Sequence, residues 1–255
     1  MTLHPVAAGG FSAAASTYAK VRPTYARGAV GLLADRVRAI GRPARVLDVG
    51  AGTGILTGQL HRAGLACWAV EPLAAMGAQL RLALPGVPLL RATAEALPVR
   101  SRSVDLVTVA QAFHWMDPDR SIEEFARVGA PGGALALLWN VRDTRVGWVA
   151  ALDELVEART GGRPYDRHGA RAWDEVLTRS GRFRVIHERS FPNPVPTTVE
   201  GVLDRLRSTS FVAALDPEPR AELLAAAAEL LRADPATVGT FEHPHTTELL
   251  LCERA

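Results

Sequence analysis

Lysine is almost missing from this chain: Lys20 is the only one among 29 basic residues. The rest are arginine. With the abundant alanine, that marks a coding bias rather than a function. Cysteine is nearly as scarce. Cys67 and Cys252 each sit in an apolar run, LACWAV and ELLLCE, and are expected to be two buried thiols. There is no disulfide framework and no Cys/His metal spacing, which fits a reducing compartment. No run reaches about 18 uninterrupted apolar residues, the length a membrane-crossing helix needs, and the start lacks a basic-then-apolar leader pattern. The expected location is the cytoplasm. An excess of either charge is missing too. A net charge of +2 gives no reason to expect nucleic acid or membrane as a partner.

What remains is ample for a core. Of 255 residues, 48% are hydrophobic and 22% charged, a globular balance. The length suits one main α/β domain with an insertion or cap. A helix is expected at about 25–40, apolar at Val30, Leu33, Val37 and Ile40. RVLDVG, LACWAVE, VPLLRA, SVDLVTVAQAF and GALALLWN read as strands alternating with helices, one of them at about 118–128. Continuous apolar strands in that alternation predict a parallel sheet covered on both faces. The second half is less regular. VGWVAALDELVEA (146–158) and ARAWDEVLTRSG read as helices, and FRVIHERSF as an antiparallel strand. PNPVPTT (192–198) is a proline-rich connector, and Thr198 can cap a short helix. Asp216–Pro217 opens a helix ending at Asp234–Pro235, and TELLLCER makes a last strand.

Residues 46–54 read VLDVGAGTG, a strand running into three glycines and then a helix. Glycine permits positive φ and lets a ligand approach the backbone. In a parallel sheet that ligand lies beyond the carboxyl ends of the strands. The spacing Gly50-x-Gly52-x-Gly54 differs from the dinucleotide pattern, whose third glycine falls one residue later, where Ile55 stands. The shorter form suits a ligand without a pyrophosphate, and S-adenosylmethionine (SAM) is one. Its cationic sulfonium tolerates a neighbouring acid such as Asp48. Glu71, ending the second strand before Pro72, can accept from both ribose hydroxyls.

These stretches, in this order, resemble the class I SAM-dependent methyltransferases. VLDVGAGTG resembles their first motif, VEP the ribose-binding acidic motif and ATAEALP the segment after strand three. SVDLVTVAQAFHWMD resembles the fourth-strand motif, and APGGALALLWN the turn into strand five. The resemblance covers residues 11–143. The small-molecule "type 11" subgroup, with its trans-aconitate methyltransferase-like members, is similar also in Phe11, Ala15, Tyr18, Arg22, Pro23 and Tyr25. It implies a Rossmann-like, doubly wound, seven-stranded sheet with the last strand antiparallel and helical cap elements. The whole chain, 1–255, is then one domain. Its core is about 25–143 plus terminal strands, and segments 1–24 and 144–235 cover the substrate. SAM would be held by Tyr18, Arg22, Asp48, Gly50, Gly52, Gly54, Glu71, Pro72, Thr93, Ala94, Glu95 and Gln111. Many members carry an Asp where Thr93 stands. The adenine amino group is left to the Thr93 hydroxyl, a backbone carbonyl or water, and Glu95 suits a helix cap.

The acceptor should lie past the methyl, near the end of strand four. His114 is the candidate general base, or else a pocket wall, with Trp115 and Asn140 beside the acceptor. Arg142 or Arg163 can hold an acceptor carboxylate, or be solvated surface charge. His243 and His245 form an H-x-H pair with no third ligand evident, so no metal is expected. The expected activity is methyl transfer to a small molecule, at oxygen. The oligomeric state, monomer or homodimer, is open. A non-catalytic SAM-fold partner is the alternative. An NAD-linked oxidoreductase fails on glycine spacing and on the lack of a Tyr-x-x-x-Lys pair. Nucleic-acid methylation fails because AQAFHW replaces the (N/D)-P-P-(Y/F) quartet and no basic stripe is interleaved with aromatics.

Overall fold

The apolar runs and their caps settle into the expected alternation. The computed structural model describes residues 22–162, 169 and 173–255. Helix α1 (Arg27–Arg38) precedes β1 (Arg45–Val49), α2 (Ile55–Arg62), β2 (Ala66–Val70), α3 (Ala74–Ala83) and a minimal β3 (Leu89–Leu90). Then come β4 (Val104–Ala110), a 3-10 turn (Phe113–Trp115), α4 (Pro118–Val128) and β5 (Gly129–Arg142). Helix α4 starts where it must. Asp117 accepts from Arg120 N at 3.1 Å, and Pro118 fills the first helical position, where no N–H is needed.

The remaining elements are α5 (Gly147–Thr160), α6 (Asp174–Arg179), β6 (Phe183–Pro192), β7 (Val195–Thr197), α7 (Val199–Arg207) and α8 (Ser210–Ala213). Helix α9 (Pro217–Ala233), β8 (Phe241–His243) and β9 (His245–Arg254) complete the chain. Thr198 caps α7 by accepting from Gly201 N at 3.2 Å. Asp216 takes the cap position of α9 but makes no side-chain cap bond there; Pro217 alone marks that start. The expected connector at 192–198 contains a strand. Val195–Thr197 pairs antiparallel with Phe241–His243, and Pro196 is tolerated because this ribbon has only two strands.

The main sheet has seven strands in the order β3-β2-β1-β4-β5-β9-β6. β1 to β5 are parallel, and β9 runs antiparallel between β5 and β6. A period of two divides its apolar residues between two faces. Leu47, Val107, Leu137 and Leu250 pack with Phe125 of α4 and Leu177 of α6. Val46, Leu106, Leu138 and Leu251 pack with Leu33 of α1 and Leu60 of α2. Both faces are therefore buried, which is why these strands read as unbroken apolar runs. Cys67 and Cys252 lie in these two cores as free thiols, and burial pushes both up to about 12. Edge strand β6 carries Arg184, Glu188 and Arg189 outward, a charged edge that resists pairing with another sheet.

Helices α5, α7, α8 and α9 enclose a third apolar cluster of their own. It is built on Trp148, Leu152, Leu203, Leu206, Leu223 and Leu231, with Phe241 of β8. An ion pair of 2.5 Å between Arg142, at the end of β5, and Asp153 of α5 links this cluster to the sheet. Among the described residues, no helix is long and apolar enough to cross a membrane.

Candidate active site

The three glycines of the β1–α2 turn all have positive φ, and each is required for a different reason. A Cβ on Gly50 would stand 2.7 Å from the Ala112 Cβ, so the turn presses against the loop after β4. A Cβ on Gly54 would stand 2.9 Å from the Leu80 Cγ, so α2 packs closely on α3. Around Gly52 nothing lies within 4 Å of the added atom. That glycine faces open space, and its φ of 58° turns its N–H toward Glu71. Gly50 N and Ala51 N both donate to Val70 O, at 2.9 and 3.0 Å, which fixes the turn to the end of β2.

Glu71 closes the clasp. Its Oε2 accepts from Gly52 N and its Oε1 from Leu73 N, both at 2.8 Å. Burial raises its pKa, and the two backbone N–H groups oppose that. Each carboxylate oxygen keeps acceptor capacity for a further donor. Asp48 is deeper, at 1% exposure. Its oxygens accept from Thr57 at 2.5 Å and Thr108 at 2.8 Å, yet burial outweighs both bonds and pushes its pKa up to about 6.

The turn opens into a cleft of about 940 Å³, counted to its open mouth. Asp48, Gly50, Gly52, Glu71, Pro72, Thr93, Ala94, Glu95, Gln111 and Trp115 line it. No arginine or lysine does so among the described residues, which suits a ligand without phosphates. The hydroxyls of Thr53 and Thr93 are buried without a hydrogen-bond partner, and both threonines line the cleft. Buried hydroxyls are normally satisfied. Two orphans in one cleft fit the polar edge of a bound adenosyl group. Glu95 is engaged elsewhere, accepting from Asp117 N at 3.0 Å at the head of α4.

Gln111 has φ 53°, in the left-handed region where a non-glycine residue is strained. Its backbone N donates to Leu138 O and its side-chain Nε2 to Asn140 O, both at 2.9 Å. These bonds couple the carboxyl ends of β4 and β5. Just beyond, the 3-10 turn is anchored by Phe113, fully buried and edge-on to Trp173 with ring centres 4.7 Å apart. His114 follows, half-buried, with its ring 4.9 Å from that of Trp115. The indole N–H of Trp139 donates to His114 Nδ1 at 3.3 Å.

Four expected site residues do not line the cleft. Gly54 faces Leu80, and His114 lies beside Trp115. Asn140 is a structural hub: its Nδ2 donates to Thr24 O at 3.1 Å, and its Oδ1 accepts from Thr247 at 2.6 Å and Asn193 at 3.1 Å. Those bonds occupy the amide and tie the segment before α1 to β5 and β9. Arg22 lies near buried His245, whose neutral form its charge favours. Tyr18 and Arg163 lie outside the described residues. Tyr25 lines the cleft although only its place in the N-terminal pattern pointed there. Gln59 of α2 grips its backbone, donating to Tyr25 O at 2.7 Å and accepting from Tyr25 N at 2.8 Å.

His243 and His245 are each 3% exposed, with ring centres 4.2 Å apart and Trp148 of α5 against His243 at 4.9 Å. His245 Nδ1–H donates to His243 O at 2.8 Å. Among the described residues no group of three His, Cys, Asp or Glu side chains could hold a metal ion.

A methyltransferase-domain family model matches residues 47–137. An uncharacterized methyltransferase of Mycobacterium tuberculosis is 41% identical over 210 residues, covering 77% of this chain and 84% of that one. The malonyl-[acyl-carrier protein] O-methyltransferase of Methylococcus capsulatus is 41% identical over 133 residues, 49% of this chain and 48% of that one. A solved structure of a putative type II methyltransferase from Anaeromyxobacter dehalogenans matches with a TM-score of 0.65 and 27% identity, covering 91% of this chain and 96% of that one.

Proposed function

This chain belongs to the class I SAM-dependent methyltransferases, and on that premise we propose that it methylates a small-molecule acceptor at oxygen. The observation that carries this reading is the clasp of Glu71 on Gly52, beside open space at the glycine turn. A ribose fits there, with its hydroxyls donating to Glu71. The orphan Thr93 hydroxyl supports a place for adenine at the other end of the cleft. Trp115 and Gln111 then flank the methyl end, where the acceptor enters. Oxygen as the receiving atom is supported by the Methylococcus relative, whose name specifies O-methylation. We further read the chain as one domain, with 144–235 as the cap over the acceptor side, held by the Arg142–Asp153 ion pair. Its buried free thiols support a cytoplasmic setting.

When bound, SAM supplies a methyl group already activated by its sulfonium. The task left to the protein is alignment, worth roughly 7–11 kcal/mol in well-oriented reactions. The rigid turn, Glu71 and the Gln111 tie between strand ends fix one partner against the other. An intact cofactor clasp supports catalysis over a purely structural partner role. Calorimetry with SAM and S-adenosylhomocysteine, followed by turnover of methyl-labelled SAM against carboxylic acids, phenols and amines, tests the reading. Label in oxygen esters or ethers supports it. Label confined to nitrogen or carbon overturns the oxygen assignment, and indifference to SAM overturns the whole.

Thr93→Val should weaken SAM binding about fivefold, the loss of roughly one hydrogen bond. The free protein should melt slightly higher, because an unsatisfied buried hydroxyl is removed. Unchanged affinity in calorimetry would take Thr93 out of the adenine site.

A further inference from the structure

Resting on the reading that SAM lies in this cleft with its ribose on Glu71, we propose that Asp48 is the counter-charge by which the cleft tells SAM from S-adenosylhomocysteine. Asp48 is 1% exposed near the end of β1, and it lines the cleft. Its oxygens accept from the hydroxyls of Thr57 in α2 and Thr108 in β4, both fully buried residues. Neither partner is a cation. Asp105 shows how this fold treats a buried carboxylate elsewhere. It lies near the start of β4, at the end of the sheet away from the glycine turn, and Arg42 pairs with it at 2.5 Å. A carboxylate taken out of water is normally paired in that way. Asp48 has no such partner among the described residues, and no arginine or lysine among them lines the cleft. Glu71, 6% exposed, is held by backbone N–H groups alone. Two buried carboxylates in one cleft without a cation suit a ligand that brings the positive charge itself.

SAM and S-adenosylhomocysteine share the adenine, the ribose and the amino-acid tail. They differ by one methyl group and by the charge on sulfur. Hydrogen bonds from the ribose to Glu71 therefore serve both. Asp48, with its oxygens taken up by two threonines, acts through its charge, which needs no direct contact and is little screened in a buried place. That attraction favours SAM alone. In the transfer step a lone pair of the acceptor forms the new bond to the methyl carbon, and the carbon–sulfur electron pair returns to sulfur. The sulfonium becomes a neutral thioether. The attraction to Asp48 ends there, so the spent cofactor is held more weakly than the fresh one.

The preference lasts only while Asp48 is ionised. Burial pushes its pKa up to about 6 against the two hydroxyl bonds, which puts the change at mild acidity. Of the elements packed on it, α2 and β4 meet it with the Thr57 and Thr108 hydroxyls. β2 brings Cys67, pushed up to about 12 and so neutral across that range, and Glu71 at its end. Glu95 and Tyr25 stand on the same cleft wall. Above about pH 6 Asp48 carries its charge and SAM is preferred; below it the carboxyl is protonated and the preference fades.

Calorimetry of both ligands at pH 7.5 and pH 5 tests this. The ratio of SAM affinity to S-adenosylhomocysteine affinity should be about tenfold higher at the upper pH, the scale of one charge pair inside a protein. Asp48→Asn keeps the shape, and the threonine hydroxyls can turn to meet an amide. Its ratio should change by no more than about twofold between the two pH values, well short of a charge-pair effect. Near pH 6, SAM binding to the wild type should release protons, measured in two buffers of unlike ionisation heat, and S-adenosylhomocysteine should release fewer. That measurement needs no variant, so it stands even where Asp48→Asn does not fold. A wild-type ratio equal at both pH values, with equal proton release, overturns the proposal. So does an Asp48→Asn ratio that still climbs as the wild type's does, which would give the discrimination to Glu71. In both cases the two ligands bind and the methyltransferase reading survives. If neither ligand binds, that reading falls, and this inference falls with it.

Discussion

Glu71→Ala is expected to weaken SAM binding about a hundredfold. Hydrogen bonds to a charged group contribute about 1.5–3 kcal/mol each, and the proposed ribose contact has two. Water entering the vacated space recovers part of that, leaving roughly 2.7 kcal/mol, or two powers of ten. A second loss adds to the first. Gly52 N and Leu73 N, each now bonded to Glu71 at 2.8 Å, would turn to water, and the glycine turn would lose its brace. Glu71→Gln is expected to fare little better. Its amide NH₂ must face one of those two backbone donors. The carboxyl's pKa is raised by burial, so wild-type affinity should also fall in mild acid, as protonation puts a donor where an acceptor is needed. Calorimetry across pH, with melting curves to separate binding from folding, checks both points. An Ala variant that binds SAM like the wild type would remove the ribose assignment.

The glycine turn and its carboxylate brace were legible because their demands are local. Gly50, Gly52 and Gly54 announce a turn that other residues cannot make, and Glu71 follows at the next strand end. The parallel core was legible for a related reason: a strand buried on both faces has to be apolar throughout, as VDLVTVA and ALALLW are. What was not legible depends on long-range partners. Asn140 stands at a ligand edge in sequence, yet its amide is used by Thr24, Asn193 and Thr247, from three distant segments. Val195–Thr197 looks like a connector until Phe241–His243 arrives beside it. Gln111 gives no local sign of a left-handed backbone. Its conformation is imposed by the carbonyls of Leu138 and Asn140. His114 meets the indole N–H of Trp139 from 25 positions away.

The buried H-x-H pair points to acid sensitivity. Burial is the main cause that holds both imidazoles neutral. For His243 the next causes are His245, Arg205 and Arg142; for His245 they are Arg205, Arg142 and Arg22. The pKa of His245 falls to about 3, and that of His243 is lowered further. Above the unfolded value near 6.5 neither state holds a proton on these rings, and their contribution to stability is complete. Below it the unfolded chain takes up protons that the folded chain refuses, so stability falls with pH until the folded values are reached. Two such rings give roughly 4 kcal/mol of loss between pH 7 and pH 5. Asp48, with its pKa raised to about 6, works in the opposite sense, since its contribution is present in acid and lost as pH rises through that value. The whole-protein curve therefore mixes signs, and a difference between variants isolates the pair. His243→Phe keeps a ring against Trp148, and His245→Asn keeps a donor for the His243 carbonyl. Denaturant unfolding of the double variant should match or exceed the wild type at pH 8 and overtake it steadily toward pH 5. Parallel curves would mean the rings are protonated in the folded chain. Because His243 packs on α5 and His245 pairs with Arg142, protons entering this pair would loosen the joint between α5 and the sheet first. Amide exchange in α5 should then rise in acid before exchange in β1 or β4 does.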